Sequence, residues 1–314
     1  MEEKDGLSRF QSFLIKKFVI AEQKPTYFNF FMLSIIALIL FMQNVLGLNY
    51  GMNFFVIVVA LVAIYRDDGY EFFKDFWLPV ILMFSYEVLR AQAFSFSQSI
   101  GARLWVGEIA DLEKTIFFFL DDLPNVILQS FFNPNVQTPY LHDYILFSFY
   151  GFFFWAWAIF AMGLWFYKRE FFKPYTYGLI LFSFVSVAIF TLFPTAPPWY
   201  ASQAGEIPQL ERVLWEFEYL PGMELDNVQD VGRNDFAAIP SLHTGWMVYA
   251  AIWFVHIFGK KYWWVFFAPF GVAFATWYGA EHYIVDSIVG ALMALTFFAI
   301  AWRYYKRSEK LNVS

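Results

Sequence analysis

The chain has 314 residues, of which 60% are hydrophobic, 24% aromatic and only 15% charged. Soluble proteins carry about 25% charged residues, so the soluble two-domain enzyme that this length would suggest is excluded. The formal net charge of −6 comes with no basic tract, which argues against nucleic acid as a partner, and the absence of cysteine removes disulfides, thiolate nucleophiles and cysteine metal sites.

In chain order, residues 1–27 are charged from Glu2 to Lys24 and read as a cytoplasmic segment. The apolar run that follows has no small-residue cleavage site after it and is predicted to be an uncleaved span, not a signal peptide. Apolar runs of membrane-crossing length predict about eight spans, over 28–48, 49–65, 76–94, 141–167, 173–194, 240–258, 262–280 and 283–303. The runs lack strand alternation, and only helices or closed barrels satisfy their backbone in lipid, so the fold class is an all-α polytopic bundle. The division is two accessory helices in 28–74, a main membrane bundle over 75–303 and a cytoplasmic tail over 304–314. With the N-terminus inside, the outer segments hold only Arg103, Lys114, Arg212 and Arg233. Arg90 lies within a span, and every other Lys and Arg falls on the inner side. That distribution satisfies the positive-inside rule and puts both termini in the cytoplasm.

Two outer segments are long. Residues 95–140 hold an apolar stretch, Ile116 to Leu120, between acidic residues, and read either as helices lying in the interface or as a loop packed over the bundle. Residues 195–239 carry eight acidic groups against Arg212 and Arg233, and read either as a lid or as a solvated connector.

Candidate chemistry concentrates at the outer face. His243 lies in Pro240-Ser241-Leu242-His243, where an outer segment enters a helix. Pro at the first helical position with Ser nearby is a start signal, and a helix N-terminus suits a phosphate. His282 lies in Glu281-His282-Tyr283-Ile284-Val285-Asp286, and a spacing of four puts His282 and Asp286 on one helical face. A carboxylate bonded to one ring nitrogen leaves the other as nucleophile or base. The competing reading is a polar knot that holds three helices together. Arg90 is three residues from Glu87; it pairs with that carboxylate, binds phosphate with its planar fork, or snorkels to the headgroups. His142, His256 and the Asp121-Asp122 pair read as structural, and no metal site or other cofactor is expected.

These motifs resemble the type 2 phosphatidic acid phosphatase superfamily, whose members carry Lys-x6-Arg-Pro, Pro-Ser-Gly-His and Ser-Arg-x5-His-x3-Asp. Pro240-Ser241-Leu242-His243 matches the second with Leu242 in place of Gly, and His282 with Asp286 matches the end of the third. The Ser and Arg of the third fall on Ala275 and Thr276, and Lys-x6-Arg-Pro is absent. The departures resemble the inositol phosphorylceramide synthase branch, with Pro-Ser-Leu-His, a His-His-Tyr-x2-Asp-like third motif and an Ala-Pro-Pro-Trp loop, here Ala196-Pro197-Pro198-Trp199. The resemblance covers roughly residues 75–303 and implies a six-helix phosphatase-like core.

It further implies that His282 attacks phosphorus to form a phosphohistidine, Asp286 orients it, and His243 protonates the departing alcohol and then deprotonates water or a second alcohol. Ser241 and the helix start would hold the phosphate oxygens, and Trp199 and Tyr283 join Glu87 as candidate substrate-side residues. Arg90 is the candidate for the missing cationic clamp. The expected activity is a metal-independent lipid phosphotransferase or phosphatase in a plasma membrane or endomembrane, with its site on the extracytoplasmic or lumenal side. Its substrates would be a phospholipid or polyprenyl phosphate donor and a lipid or polyol alcohol acceptor, or water. The alternative from another class is an inactive lipid-binding or transport protein on the same fold.

Overall fold

A computed structural model describes residues 69–135, 138–214 and 234–313. The predicted spans 28–48 and 49–65, the N-terminal segment, and the middle of the 195–239 segment lie outside these residues. The chain divides into two compact units, Met1–Val80 and Ile81–Ser314. Of the first, the opening turns of α1 (Gly69–Ser99) are described, where Phe72 stacks on Phe76 at 4.2 Å.

The regular elements of the second unit are all helices among its described residues, apart from isolated bridges. After α1 come two short helices, α2 (Glu108–Ile116) and α3 (Pro124–Phe132), in the segment read as interfacial helices or a packed loop. They are helices, and their inner faces are buried. Next is α4 (Leu141–Tyr167), which coincides with its predicted span. Its start is fixed by Asp143, whose Oδ2 accepts the Tyr140 N–H at 2.7 Å, as the acidic member of a capping box does. The other oxygen accepts the Tyr278 hydroxyl at 2.6 Å, tying the outer end of α4 to a later helix.

α5 (Arg169–Leu192) follows after one residue, Lys168, and stops before Pro194, because the residue ahead of a proline is driven from helical geometry. Then come α6 (Pro198–Gln203), α7 (Leu242–Phe258), a 3-10 stretch (Lys260–Phe266), α8 (Phe267–Tyr278) and α9 (Ile284–Val313). The predicted span 262–280 is therefore not one α-helix. Pro269 has no N–H to continue the α ladder back to Val265, so it sits in the first turn of a 12-residue α8, where a missing N–H costs nothing.

Among the described residues three helices are long and apolar enough to cross a membrane: Leu141–Tyr167, Arg169–Leu192 and Ile284–Leu311. Leu242–Phe258 is apolar but shorter. The polar residues after Arg303 continue α9 as helix, so the segment read as a tail begins inside a regular element.

The bundle centres on α7 against α9, with α5 behind α9 and α4 against α8. Glycines allow the central approach. A Cβ on Gly245 would stand 2.7 Å from the Phe182 ring and 3.0 Å from the carbonyl of Gly290, and one on Gly290 would collide with the carbonyl of Ser241. Small residues at such crossings let helices meet backbone to backbone.

Three chain segments are stitched together at Thr195. Trp105 N–H donates to the Pro194 carbonyl at 3.0 Å, Ala196 N–H to Trp105 at 2.8 Å, and Thr195 N–H to Phe236 at 3.1 Å. The Thr195 hydroxyl accepts Ile239 N–H at 2.9 Å, one residue before Pro240. The proline-rich loop thus anchors the chain as it turns into α7.

Candidate active site

Ser241 is the N-cap of α7, with its Oγ accepting the Thr244 N–H at 3.3 Å. Pro240 lies just ahead of the cap, two residues before the first helical position that the sequence suggested for it. The Ser241 N–H donates to the carbonyl of Asp286 at 3.0 Å, so the first turns of α7 and α9 are pinned to each other by backbone. Behind them the Thr244 hydroxyl donates to Ser287 Oγ at 2.9 Å, and the Trp277 indole donates to the same oxygen at 2.9 Å.

His243 and His282 meet across this junction. Nδ1 of His243 lies 2.9 Å from Nε2 of His282, and Nδ1 of His282 lies 3.3 Å from Oδ2 of Asp286. The same Oδ2 accepts the Tyr283 N–H at 2.8 Å. An ionised carboxylate can only accept, so the proton on His282 sits at Nδ1 and Nε2 carries a lone pair directed at His243. Asp286 is fully buried and His282 is 5% exposed, whereas His243 is partly accessible. The relay therefore opens toward its His243 end.

An aromatic wall from α4 holds His243: the Tyr150 ring stacks on it at 5.1 Å and Phe153 tilts against it at 4.6 Å. Arg90 is within electrostatic reach of both His243 and Tyr150. It also pairs with Glu87 through Nε at 3.1 Å and an NH2 at 2.8 Å, as their spacing suggested. Glu87 is half exposed, so the pair lies at an accessible edge.

The loop carrying His282 is fastened from the outer segments. The Asn125 side-chain amide donates to the carbonyls of Trp277 at 2.7 Å and His282 at 3.0 Å. Gln129 donates to the Tyr278 carbonyl at 2.8 Å. Arg212 grips Glu281 through Nε at 2.6 Å and an NH2 at 3.0 Å, and its guanidinium lies 4.0 Å over the Trp199 ring. Trp199 N–H donates to the Ala280 carbonyl at 3.0 Å.

A family model described as the PAP2 superfamily matches residues 108–300. The chain belongs to that superfamily. It is similar to a phosphoinositol dihydroceramide synthase of Bacteroides thetaiotaomicron, at 31% identity over 219 residues, 64% of this chain and 67% of that protein. An inositol phosphorylceramide synthase of Candida albicans is 28% identical over 40% of this chain and 28% of its own length. The catalytic subunit of the Schizosaccharomyces pombe inositol phosphorylceramide synthase is 30% identical over 37% of this chain and 29% of its own. The chain thus spans under a third of the fungal relatives it matches. No solved structure matches it.

Within this PAP2 frame the structure brings His243, His282, Asp286 and Ser241 together, with Arg90 and Glu87 at the edge. Trp199 and Tyr283 are placed elsewhere: both are buried in the apolar cluster of Ile109, Leu123 and Ala280, where Trp199 backs the loop and Tyr283 is fully enclosed. Ala275 and Thr276, where the superfamily has Ser and Arg, are buried in α8, and the Thr276 carbonyl accepts the N–H groups of Glu281 and His282. Sequence reading missed Asn125, Gln129, Tyr150 and the Arg212–Glu281 pair. Only the Arg212 charge in an acidic outer segment gave any signal. Among the described residues no group of three or more His, Asp or Glu is arranged to hold a metal ion.

Proposed function

We propose that this PAP2 protein is a lipid phosphotransferase that works through a phosphohistidine on His282, with hydrolysis of the lipid when water replaces the acceptor. The observation that carries the proposal is the buried relay from Asp286 through His282 to His243, at 3.3 and 2.9 Å. A lone knot of polar residues would satisfy its hydrogen bonds inwardly; this one ends at an accessible imidazole beside a helix start and an arginine.

In the first step a phosphodiester enters at His243, whose ring gives up its contact with Nε2 of His282. Nε2 attacks phosphorus, an N–P bond forms, and the bond from phosphorus to the diacylglycerol oxygen breaks. His243 delivers a proton to that oxygen as it leaves. Asp286 offsets the positive charge that develops on His282. The N-terminus of α7 and the Arg90 guanidinium stabilise the phosphoryl oxygens. In the second step His243 takes the proton from an acceptor hydroxyl, that oxygen attacks phosphorus, and the N–P bond breaks. The distribution of Lys and Arg supports placing this site on the extracytoplasmic or lumenal side.

The names of the relatives make phosphoinositol transfer to a ceramide-class alcohol the first donor and acceptor to offer. The test uses purified protein in lipid nanodiscs, with phosphatidylinositol and ceramide, then other phospholipids and polyprenyl phosphates, following new phospholipid and free headgroup phosphate together. Wild type should give product that is lost in His282→Ala, and acid-labile, base-stable label on the protein should map to His282. Product formation unchanged by His282→Ala would overturn the proposal, as would label on another residue.

A further inference from the structure

α9, which carries Asp286, starts in an unusual way. A Ser, Thr, Asp or Asn ordinarily stands before the first helical residue and accepts an amide of the first turn. Here Tyr283 holds that place. Asp286, the third residue of α9, reaches back to the Tyr283 N–H at 2.8 Å, which is half of a capping box. The other half comes from α2. Glu113, 172 residues away in the chain, accepts the Val285 N–H on its Oε2 at 3.2 Å.

Glu113 is fully buried in α2 together with Ile109 and Ala110, and lies within electrostatic reach of Tyr283. Its second oxygen, Oε1, has no hydrogen-bond partner among the described residues, and neither has Oδ1 of Asp286 or the Tyr283 hydroxyl. An ionised carboxylate in that position would leave an anionic oxygen bare in apolar surroundings, behind the carboxylate that the relay needs. A neutral acid would not, and it could donate its proton to a neighbouring oxygen.

We propose that Glu113 is a positioning residue for the phosphoryl transfer: as an uncharged acid it caps α9 and keeps Asp286 as the negative charge behind His282. The inference rests on the functional reading above. Burial pushes the Glu113 carboxyl up to about 7, Asp286 pushes in the same direction, and the Val285 and Ile284 N–H groups pull the other way. Asp286 and Tyr283 face it from the α9 side, and Asp111 lies on its own helix. As pH rises through about 7, Glu113 ionises. A second anion then stands beside Asp286 and repels it, which loosens the hold on His282.

The test measures kcat and KM in nanodiscs between about pH 5.5 and 8.5 for wild type, Glu113→Gln and Glu113→Ala. The wild-type kcat should fall by up to about tenfold per pH unit above the transition, with KM steady. Glu113→Gln keeps an oxygen for Val285 but cannot ionise, so its profile should lack that descent. Glu113→Ala removes the acceptor and should lower kcat at every pH. A wild-type descent retained in Glu113→Gln, or a wild-type kcat in Glu113→Ala, would sink the proposal.

Thermal unfolding gives a second readout that needs no turnover. A carboxyl with a raised native pKa holds its proton more tightly folded than unfolded, so it stabilises the protein below 4.5 and loses that contribution as pH climbs through about 7. Glu113→Gln should flatten this slope. If wild type and His282→Ala are equally inactive on every lipid, the functional reading fails. The slope then decides the capping role alone: lost in Glu113→Gln supports it, unchanged overturns it.

Discussion

Asp286→Asn isolates charge from geometry in the proposed relay. Both donors that reach Asp286, the Tyr283 N–H at 2.8 Å and His282 Nδ1 at 3.3 Å, fall on one oxygen, Oδ2. Asparagine can put its carbonyl oxygen there and its NH2 where Oδ1 stands, so both bonds and the His282 tautomer survive. What is lost is the negative charge facing an imidazolium. At that separation, with an effective dielectric of about 20, the pair interacts by about 5 kcal/mol. A neutral acceptor retains roughly half of a charge-assisted hydrogen bond. The net loss is therefore about 2–3 kcal/mol, or roughly 30- to 150-fold in the rate of phosphohistidine formation. The assay is single-turnover labelling of the protein from radiolabelled donor lipid, with melting in detergent as the control for folding. A variant that labels within about threefold of wild type while folded would refute the reasoning, because Asp286 would then contribute no field to the reacting nitrogen.

Further expectations follow from the supports of the site. Gly290→Ala drives a methyl into the Ser241 carbonyl, so α7 and α9 must part; about 1–3 kcal/mol of stability should be lost, with the relay rate falling alongside the melting temperature. Asn125→Ala leaves the Trp277 and His282 carbonyls without their side-chain donor and should cost about 1–3 kcal/mol in denaturant unfolding, with kcat falling more than KM rises. Arg212→Met strands a buried carboxylate on Glu281 and should destabilise by about 3 kcal/mol, whereas adding Glu281→Leu should recover most of the melting temperature. Arg90→Gln should raise KM for the phospholipid and lower kcat, with Arg90→Lys recovering only part, because a point charge does not replace a planar fork at phosphate.

The parts of this protein that sequence could reveal are those encoded in local spacing. α4 was legible to the residue because its apolar run is bounded by an acidic start at Asp143 and by Lys168-Arg169. The four-residue spacing suggested one helical face for His282 and Asp286; His282 instead stands in the loop two residues before α9, and Asp286 in the first turn still meets it at 3.3 Å, while His243 was legible because it follows a capping serine. Boundaries failed where hydropathy and helicity part company. α9 runs on to Val313 although its last turns are polar, and Pro269 cuts short a run whose composition alone reads as one span.

The supports were illegible for a different reason. Asn125 reaches 157 residues along the chain to the His282 carbonyl, Gln129 reaches 149 to Tyr278, and Glu113 reaches 172 to Val285. No periodicity encodes such contacts, and each donor or acceptor lies on an outer helix of nine residues. Yet all three end on backbone groups of the Trp277–Val285 stretch, which has to leave α8, present His282 and start α9. Backbone in a turn between helices leaves carbonyls and amides without helical partners, and burying them demands polar side chains from elsewhere. α2 and α3 supply those side chains, which explains why Glu113, Asn125 and Gln129 occupy the buried faces of these helices. The segment that carries α2 and α3 is thus part of the framework that holds the proposed site. The rigidity of His282 depends on its hydrogen bonds as directly as on the bundle below.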